Sequence, residues 1–225
     1  MALTIFGLLL SGPVIAAKDI NDFQTWGTAT AVGSLENVNP ALKNFKYWAE
    51  FQGRFGDDTS RFSQAIIRPG IGYAINNTTS VWAGYALVPT AEPFSKTTFN
   101  ERRFWQQLLW SDNFTFGSAS SRSRLEERLA PRLGDDTAMR FRQMLKISVP
   151  LAAAPAYSIV ASNEYFLNLN NNDWGPRKGF DQNRAFIGIG FNFNKEIKSE
   201  IGYMNQYINR PLTSVNRNGH ILSIN

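Results

Sequence analysis

The sequence predicts an all-β protein: an antiparallel transmembrane β-barrel of about 10 to 12 strands, with short periplasmic turns and longer extracellular loops. The first of three observations behind this is residues 45–55, where Phe45, Tyr47, Ala49, Phe51 and Phe55 share one parity and Lys46, Glu50, Gln52 and Arg54 the other. Successive side chains of a strand point to opposite faces, so one face meets an apolar environment and the other a charged one. The segment's length suits a tilted membrane crossing, which needs roughly 9 to 11 residues. Second, the same alternation returns about ten times along the chain. Third, the connections alternate between short and long, as bacterial barrels place their turns and loops.

Residues 1–17 have the shape of a signal peptide. Met1 to Leu10 is apolar, Ser11, Gly12 and Pro13 interrupt it, and Val14-Ile15-Ala16-Ala17 supplies small residues for cleavage before Lys18. The n-region lacks Lys and Arg, a departure from the usual pattern. Residues 18–225 then form a single barrel domain, exported to the bacterial outer membrane.

Residues 22–33 form a first extended segment rich in small residues, expected either as a plug in the lumen or as a wall strand of a twelve-stranded barrel. The strand at 45–55 follows. Ala65, Ile67, Pro69, Ile71, Tyr73 and Ile75 give the outward parity of the next strand, with Gln64, Arg68, Gly70 and Gly72 opposite. The tight turn at 76–78 leads to Val81, Ala83, Tyr85 and Leu87 facing out and Trp82, Gly84 and Ala86 facing in. In 101–110 either parity puts a Gln on lipid, so its register stays open, and a brief turn is expected at 111–113. Next comes the most polar strand, with Arg122, Arg124, Glu126 and Arg128 on one face and Ser123, Leu125, Glu127 and Leu129 on the other, its upper half expected beyond the membrane. Met139, Phe141, Leu145, Ile147, Val149 and Leu151 then oppose Arg140, Arg142 and Lys146. Tyr157, Ile159, Ala161, Tyr165 and Leu167 oppose Ser158, Ser162 and Glu164. Ala185, Ile187, Ile189, Phe191 and Phe193 oppose Gln182, Arg184, Gly188, Gly190 and Asn192, and Ile197, Ile201, Tyr203 and Tyr207 oppose Glu200, Gly202 and Gln206. A last strand runs from His220 to Asn225. Short connections at 76–78, 111–113, 152–155 and 194–195 alternate with longer ones at 89–100, 130–136, 168–181 and 209–218. The strands from 45–55 onward number ten, an even count that lets the first and last pair antiparallel.

Composition agrees with a barrel. No segment after the N-terminus reaches the roughly 18 consecutive apolar residues of a spanning helix. The mean hydropathy of −0.26 is that of a chain whose lumen residues dilute its lipid-facing ones. A soluble barrel would turn Lys, Glu, Ser and Thr to bulk water, whereas here the polar parity is dominated by Arg, Gln, Gly and Trp, a composition for a confined lumen. The net charge of +5 is spread at alternate strand positions rather than gathered in a patch, which argues against nucleic acid as a partner. Cysteine is absent, so thiol catalysis, thiolate metal sites and disulfides are excluded.

Eight segments also carry a family likeness. Tyr47-Trp-Ala-Glu-Phe-Gln-Gly-Arg54, Arg68-Pro-Gly-Ile-Gly-Tyr73, Trp82-Ala-Gly-Tyr85, Trp105-Gln-Gln107, Ser121-Arg-Ser-Arg-Leu-Glu-Glu-Arg128, Ser162-Asn-Glu-Tyr-Phe166, Gly179-Phe-Asp-Gln-Asn-Arg184 and Gly202-Tyr-Met-Asn-Gln-Tyr207, in this order, resemble a bacterial family known as domain of unknown function 2490. The likeness runs from about Trp26 to the C-terminus and implies an exported outer-membrane barrel without an established activity. Such barrels commonly finish on an aromatic residue, whereas this chain stops at Ile224-Asn225.

The candidate site is a lumen charge network of Arg54, Arg68, Arg122, Arg124, Glu126, Arg128, Arg140, Arg142, Lys146, Glu164, Arg184 and Glu200, in which bases exceed acids by nine to three. Buried charges are costly alone, so inward Arg and Glu on neighbouring strands are expected to pair and cross-link the wall. A ring of surplus Arg would instead attract anions. Arg and Trp side chains fill a narrow interior, which favours an occluded lumen. A lipid hydrolase would have to use His220, the sole histidine, with a serine such as Ser223 or one from a neighbouring strand. No nucleophile-elbow motif accompanies it. One His and no Cys cannot build a zinc site, and Asn170, Asn171, Asn172 and Asp173 offer calcium a single carboxylate, so no metal and no cofactor are expected. The expected role is that of a structural or interaction protein or a narrow anion-preferring solute passage, with an outer-membrane lipid-modifying hydrolase as the alternative. The expected partners are outer-membrane lipids, the barrel-assembly machinery and small anions, for a monomer.

Overall fold

The computed structural model describes residues 20–211 and 215–225; the signal peptide expected at 1–17 lies outside them. Eleven strands close into one barrel. They are β1 (Ile20–Ser34), β2 (Phe45–Gly56), β3 (Arg61–Ala74), β4 (Thr79–Thr90), β5 (Phe99–Phe114), β6 (Gly117–Leu129), β7 (Ala138–Leu151), β8 (Ala154–Asn168), β9 (Gly179–Asn192), β10 (Lys198–Ile208) and β11 (Arg217–Ile224). Each pairs antiparallel with its neighbours in sequence, and β1 closes the barrel against β11 in parallel, from Ile20↔Arg217 to Gly27↔Ile224. β11 ends there, so β1 continues to Ser34 paired with β2 alone.

Three expectations are corrected. Segment 22–33 is neither a plug nor part of a twelve-stranded wall; it belongs to β1, the eleventh member of the wall, because its alternating Thr and Ala fit the edge of β2 from Thr25↔Phe55 to Ser34↔Lys46. The count is therefore odd. In a meander each strand reverses its predecessor, so the first and eleventh run the same way and the closure cannot be antiparallel. Finally, 111–113 is not a turn: β5 runs on through Phe114, and the hairpin turns at 115–116 with Phe114 opposite Gly117. Gly117 has φ +141°, and a Cβ on it would overlap the Ser148 carbonyl, so glycine is required at this turn.

The remaining short turns form where the sequence places Asn. Asn76 Oδ1 accepts from the amides of Thr78 and Thr79, and Asn194 Oδ1 from those of Glu196 and Ile197, which closes both hairpins with side-chain-to-backbone bonds. The last strand begins at Arg217, three residues earlier than expected. Two connections depart from the short-and-long alternation: 35–44, at the end with the short turns, holds a 3-10 turn (Pro40–Leu42) capped by Asn39, and 57–60, at the end with the long loops, is short.

Inward packing divides into two halves. Across β3 to β5 the lumen holds an apolar cluster, Ile66, Trp82, Ala86, Val88 and Trp105, with Trp48 and Leu109 packed on it and Arg68, Glu101, Arg103 and Gln107 buried beside it. The Trp105 ring occupies the space that a Cβ on Gly70 or Gly84 would need, and the Trp82 ring covers Gly72 in the same way. Across β6 to β9 the lumen is charged. Arg124 and Arg128 of β6 settle the register of β5 by reaching Gln107 and Glu101, so Glu101, Arg103, Trp105 and Gln107 are buried and Gln106 faces out.

Candidate functional site in the barrel lumen

Charged side chains reach the interior because they occupy every second position of strands whose other parity is apolar. On β6 and β7 this brings Glu126 against Arg140 and Arg142, and the registry Arg124↔Arg142 and Glu126↔Arg140 sets them side by side. Glu126, fully buried, accepts from Arg140 Nε (3.0 Å) and Nη2 (2.6 Å) and from Arg142 Nη1 (2.6 Å). Arg140 continues to Asp181 (3.2 Å). Arg142 bonds Glu164 through Nε (3.0 Å) and Nη2 (2.8 Å), and Glu164 also takes Arg122 (2.7 Å). The result is a chain of alternating sign, Asp181–Arg140–Glu126–Arg142–Glu164–Arg122, that ties β6, β7, β8 and β9 together from inside. Glu101 forms a second knot with Arg103 (2.8 Å) and Arg128 (2.5 Å). Arg68 pairs with Glu50 and Lys146 with Glu200, each at 2.5 Å.

Two buried arginines rely on neutral partners. Arg124, 1% exposed, donates twice to Gln107 Oε1 (2.9 and 2.6 Å), lies over the Trp105 ring, and has its nearest carboxylate, Glu126, 4.0 Å away. Arg54 donates to Gln52 Oε1 and to Gln64 Oε1 (2.8 Å) and stacks over Trp26 at 3.8 Å.

Stacking also narrows the barrel at mid-height. Arg54 and Arg184 both lie on the Trp26 ring, and Arg184, Arg142 and Arg140 lie on Phe166 at 4.6, 4.5 and 5.3 Å. Trp26 and Phe166 are almost fully buried by these guanidinium planes. Above this waist, toward the long loops, is a chamber of about 540 Å³; below it, toward the short turns, is one of about 260 Å³. Trp26, Arg54, Arg68, Arg142 and Arg184 border both. Arg210, in the loop before β11, also lines the upper chamber, and there burial and then the nearby Arg217 lower its guanidinium pKa.

The structure thus places all twelve sequence-predicted residues on the inner face. Arg54, Arg68, Arg124, Glu126, Arg128, Arg140, Arg142 and Glu164 are buried, while Arg122, Lys146, Arg184 and Glu200 line the lower chamber and are partly exposed. Sequence reasoning left out Glu50, Glu101, Arg103 and Asp181. Glu50 was legible, since it shares the parity of Arg54. Glu101 and Arg103 were hidden by the undecided register of their strand, and Asp181 by its assignment to a loop.

Residues named for other chemistry are used elsewhere. His220 faces outward and its Nδ1 lies 2.7 Å from the Tyr203 hydroxyl, whereas Ser223 has the opposite parity, is 2% exposed inside the wall, and its Oγ accepts from Asn225. The wall separates them, so they form no catalytic pair. Asp173 does not await a cation; its carboxylate accepts from the amides of Asp135 and Asp136, and Asn170 caps the Met139 amide. Among the described residues no group of three or more His, Asp or Glu converges on a metal position.

A family model described as a protein of unknown function, DUF2490, matches residues 23–217. An uncharacterized protein of Methylorubrum extorquens is 34% identical over 220 residues, 97% of this chain and 92% of the relative. No solved structure matches.

Proposed function

The chain belongs to the DUF2490 family, whose function is unknown, and we propose from the geometry that it is an integral outer-membrane β-barrel, a structural or interaction protein whose lumen is closed at mid-height. The observation that carries this reading is an inverted distribution of side chains. Thirty-four large apolar or tyrosine side chains among the described residues are exposed, most of them around the whole outer wall, while most arginines and glutamates of the strands turn inward, with Arg102 and Glu127 on the outer parity and Arg61 exposed near a loop as the exceptions. A surface this apolar associates in water and matches hydrocarbon.

Polar groups on the outer wall support the same placement. Ser123 and Ser121 bond to Gln143, Asn163 to Asn183, Asn205 to Asn218 and Tyr203 to His220, so they satisfy one another where lipid could not. Aromatic pairs lie toward both ends: Phe45–Tyr73 and Tyr157–Phe191 near the short turns, Phe55–Phe62 and Tyr165–Phe180 near the loops. In this reading an N-terminal signal directs export, the assembly machinery inserts the monomer, and the long loops face outward.

Fractionation of a Gram-negative host that expresses the full-length chain tests the proposal. The protein should sediment with outer membrane and migrate differently on gels before and after boiling; recovery in the soluble periplasmic fraction without detergent would overturn it. A second reading, a narrow anion-preferring passage, is favoured by the upper chamber, which nine arginines and four carboxylates line. Steady anion-selective current in a planar bilayer would support it, and silence from inserted protein supports the closed form.

A further inference from the structure

Cations in the upper chamber outnumber the carboxylates that could neutralise them, and the imbalance is sharpest at its floor. Glu101 is consumed by Arg103 and Arg128, and Asp22 accepts from the Gln24 amide and the Asp58 backbone N–H. Arg54 is held by the amide oxygens of Gln52 and Gln64. Arg184 donates to Gln182 Oε1 at 3.3 Å, an oxygen that also accepts from the Gln206 amide. Its nearest carboxylate oxygen, on Glu164, is 3.9 Å away, and the other oxygen of that group already takes Arg122 and Arg142. Two guanidinium groups are therefore fixed against one indole, Trp26, held at hydrogen-bond distance by amide oxygens alone, with no carboxylate within hydrogen-bond distance of either.

Such a pair is preorganised for an anion. The guanidinium planes are already oriented by stacking and by amide bonds, so little rotamer freedom is lost on binding, and an incoming acid group supplies the counter-charge that burial otherwise makes costly. The chamber is large for an inorganic ion and within the range of a small organic ligand, typically about 300 to 1,000 Å³. Its wall is also apolar in part, with Ile66, Phe94, Phe99, Leu133 and Trp174 alongside the arginines.

We propose that the upper chamber binds an organic anion, a carboxylate, sulfate or phosphate carried on an apolar body, with the acid group against Arg54 and Arg184 and the body toward the apolar wall. The site deepens the reading of a lumen closed at Trp26, and it is independent of membrane placement.

The test is calorimetric titration of the purified full chain in non-ionic detergent with 1-naphthoate, its neutral counterpart 1-naphthylmethanol, and inorganic sulfate. Naphthoate should bind saturably at one site, naphthylmethanol should only partition into micelles, and sulfate at constant ionic strength should compete with naphthoate on the wild-type protein. Arg54→Gln and Arg184→Gln should each weaken naphthoate by about tenfold or more, the loss of a charge-assisted bond. Failure of the variants to fold leaves the sulfate competition and the neutral counterpart as deciding measurements. Absence of saturable naphthoate binding, equal binding of naphthylmethanol, or indifference to both sulfate and the two substitutions would overturn the proposal. An inserted, closed barrel that binds nothing would refute this site alone, and saturable binding by a protein soluble without detergent would refute the membrane reading alone.

Discussion

Glu126→Ala removes the carboxylate on which the inner charge chain converges. Glu126 is fully buried, accepts three hydrogen bonds from Arg140 and Arg142, and lies 4.0 Å from Arg124. Three charge-assisted bonds at about 1.5 to 3 kcal/mol each would set a gross loss of several kcal/mol. Part is recovered, because Arg140 keeps Asp181 and Arg142 keeps Glu164. The expected destabilisation is therefore about 3 to 5 kcal/mol, the usual outcome when one member of a buried pair is deleted. Glu126→Gln, which retains one acceptor oxygen, should lose less. Arg61→Gln, at the exposed pair with Glu92, should change stability by ~0–1 kcal/mol. Guanidinium unfolding of the refolded protein in detergent, followed by tryptophan fluorescence, measures all three. A loss at Glu126→Ala no larger than at Arg61→Gln would refute the claim that the inner charge chain holds the β6–β9 wall together.

Trp26→Ala removes the indole on which Arg54 and Arg184 stack, and it should join the two chambers: planar-bilayer recordings should pass from silence to brief anion-selective openings, and continued silence would place the block elsewhere. Ile187→Arg puts a charge on the outer wall, where the residue is 58% exposed; it should lower folding stability in lipid vesicles by about 2 to 4 kcal/mol if the site lies near the bilayer centre. Equal stability in vesicles would count against that depth. Gly202→Val drives a side chain into the Ile187 carbonyl and the Gly188 backbone of the neighbouring strand, so the yield of heat-modifiable, folded barrel should collapse; normal yield would show that β9 and β10 can separate there. His220→Ala should leave lipid release unchanged from wild type, since His220 and Ser223 lie on opposite faces; a lipase activity abolished by that change would reverse this assignment.

Much of the barrel was legible along the chain because a strand's side-chain parity is a local property. Phe51, Ile71 and Ile187 face out and Arg68, Arg142 and Arg184 face in as alternation requires, whatever the neighbouring strands are. Turn positions were legible where a single side chain closes them, as Asn76 and Asn194 do. The register of β5 was not, because Gln106 and Gln107 make both parities equally polar. Its solution depended on Arg124, which reaches Gln107 from β6, and on Arg128, which reaches Glu101.

Local alternation therefore set most of the strands and their faces, most of the turns and the excess of arginine inside. Tertiary structure decided the parallel closure of β1 on β11, the pairing of Glu126 with Arg140 and Arg142, and the Arg–Trp26–Arg and Arg–Phe166 stacks that divide the lumen. The reason is range. Alternation acts between residues one or two apart, whereas closure and charge pairing join residues such as Arg54 and Arg184, which meet on the Trp26 ring only after the wall between them has curved shut.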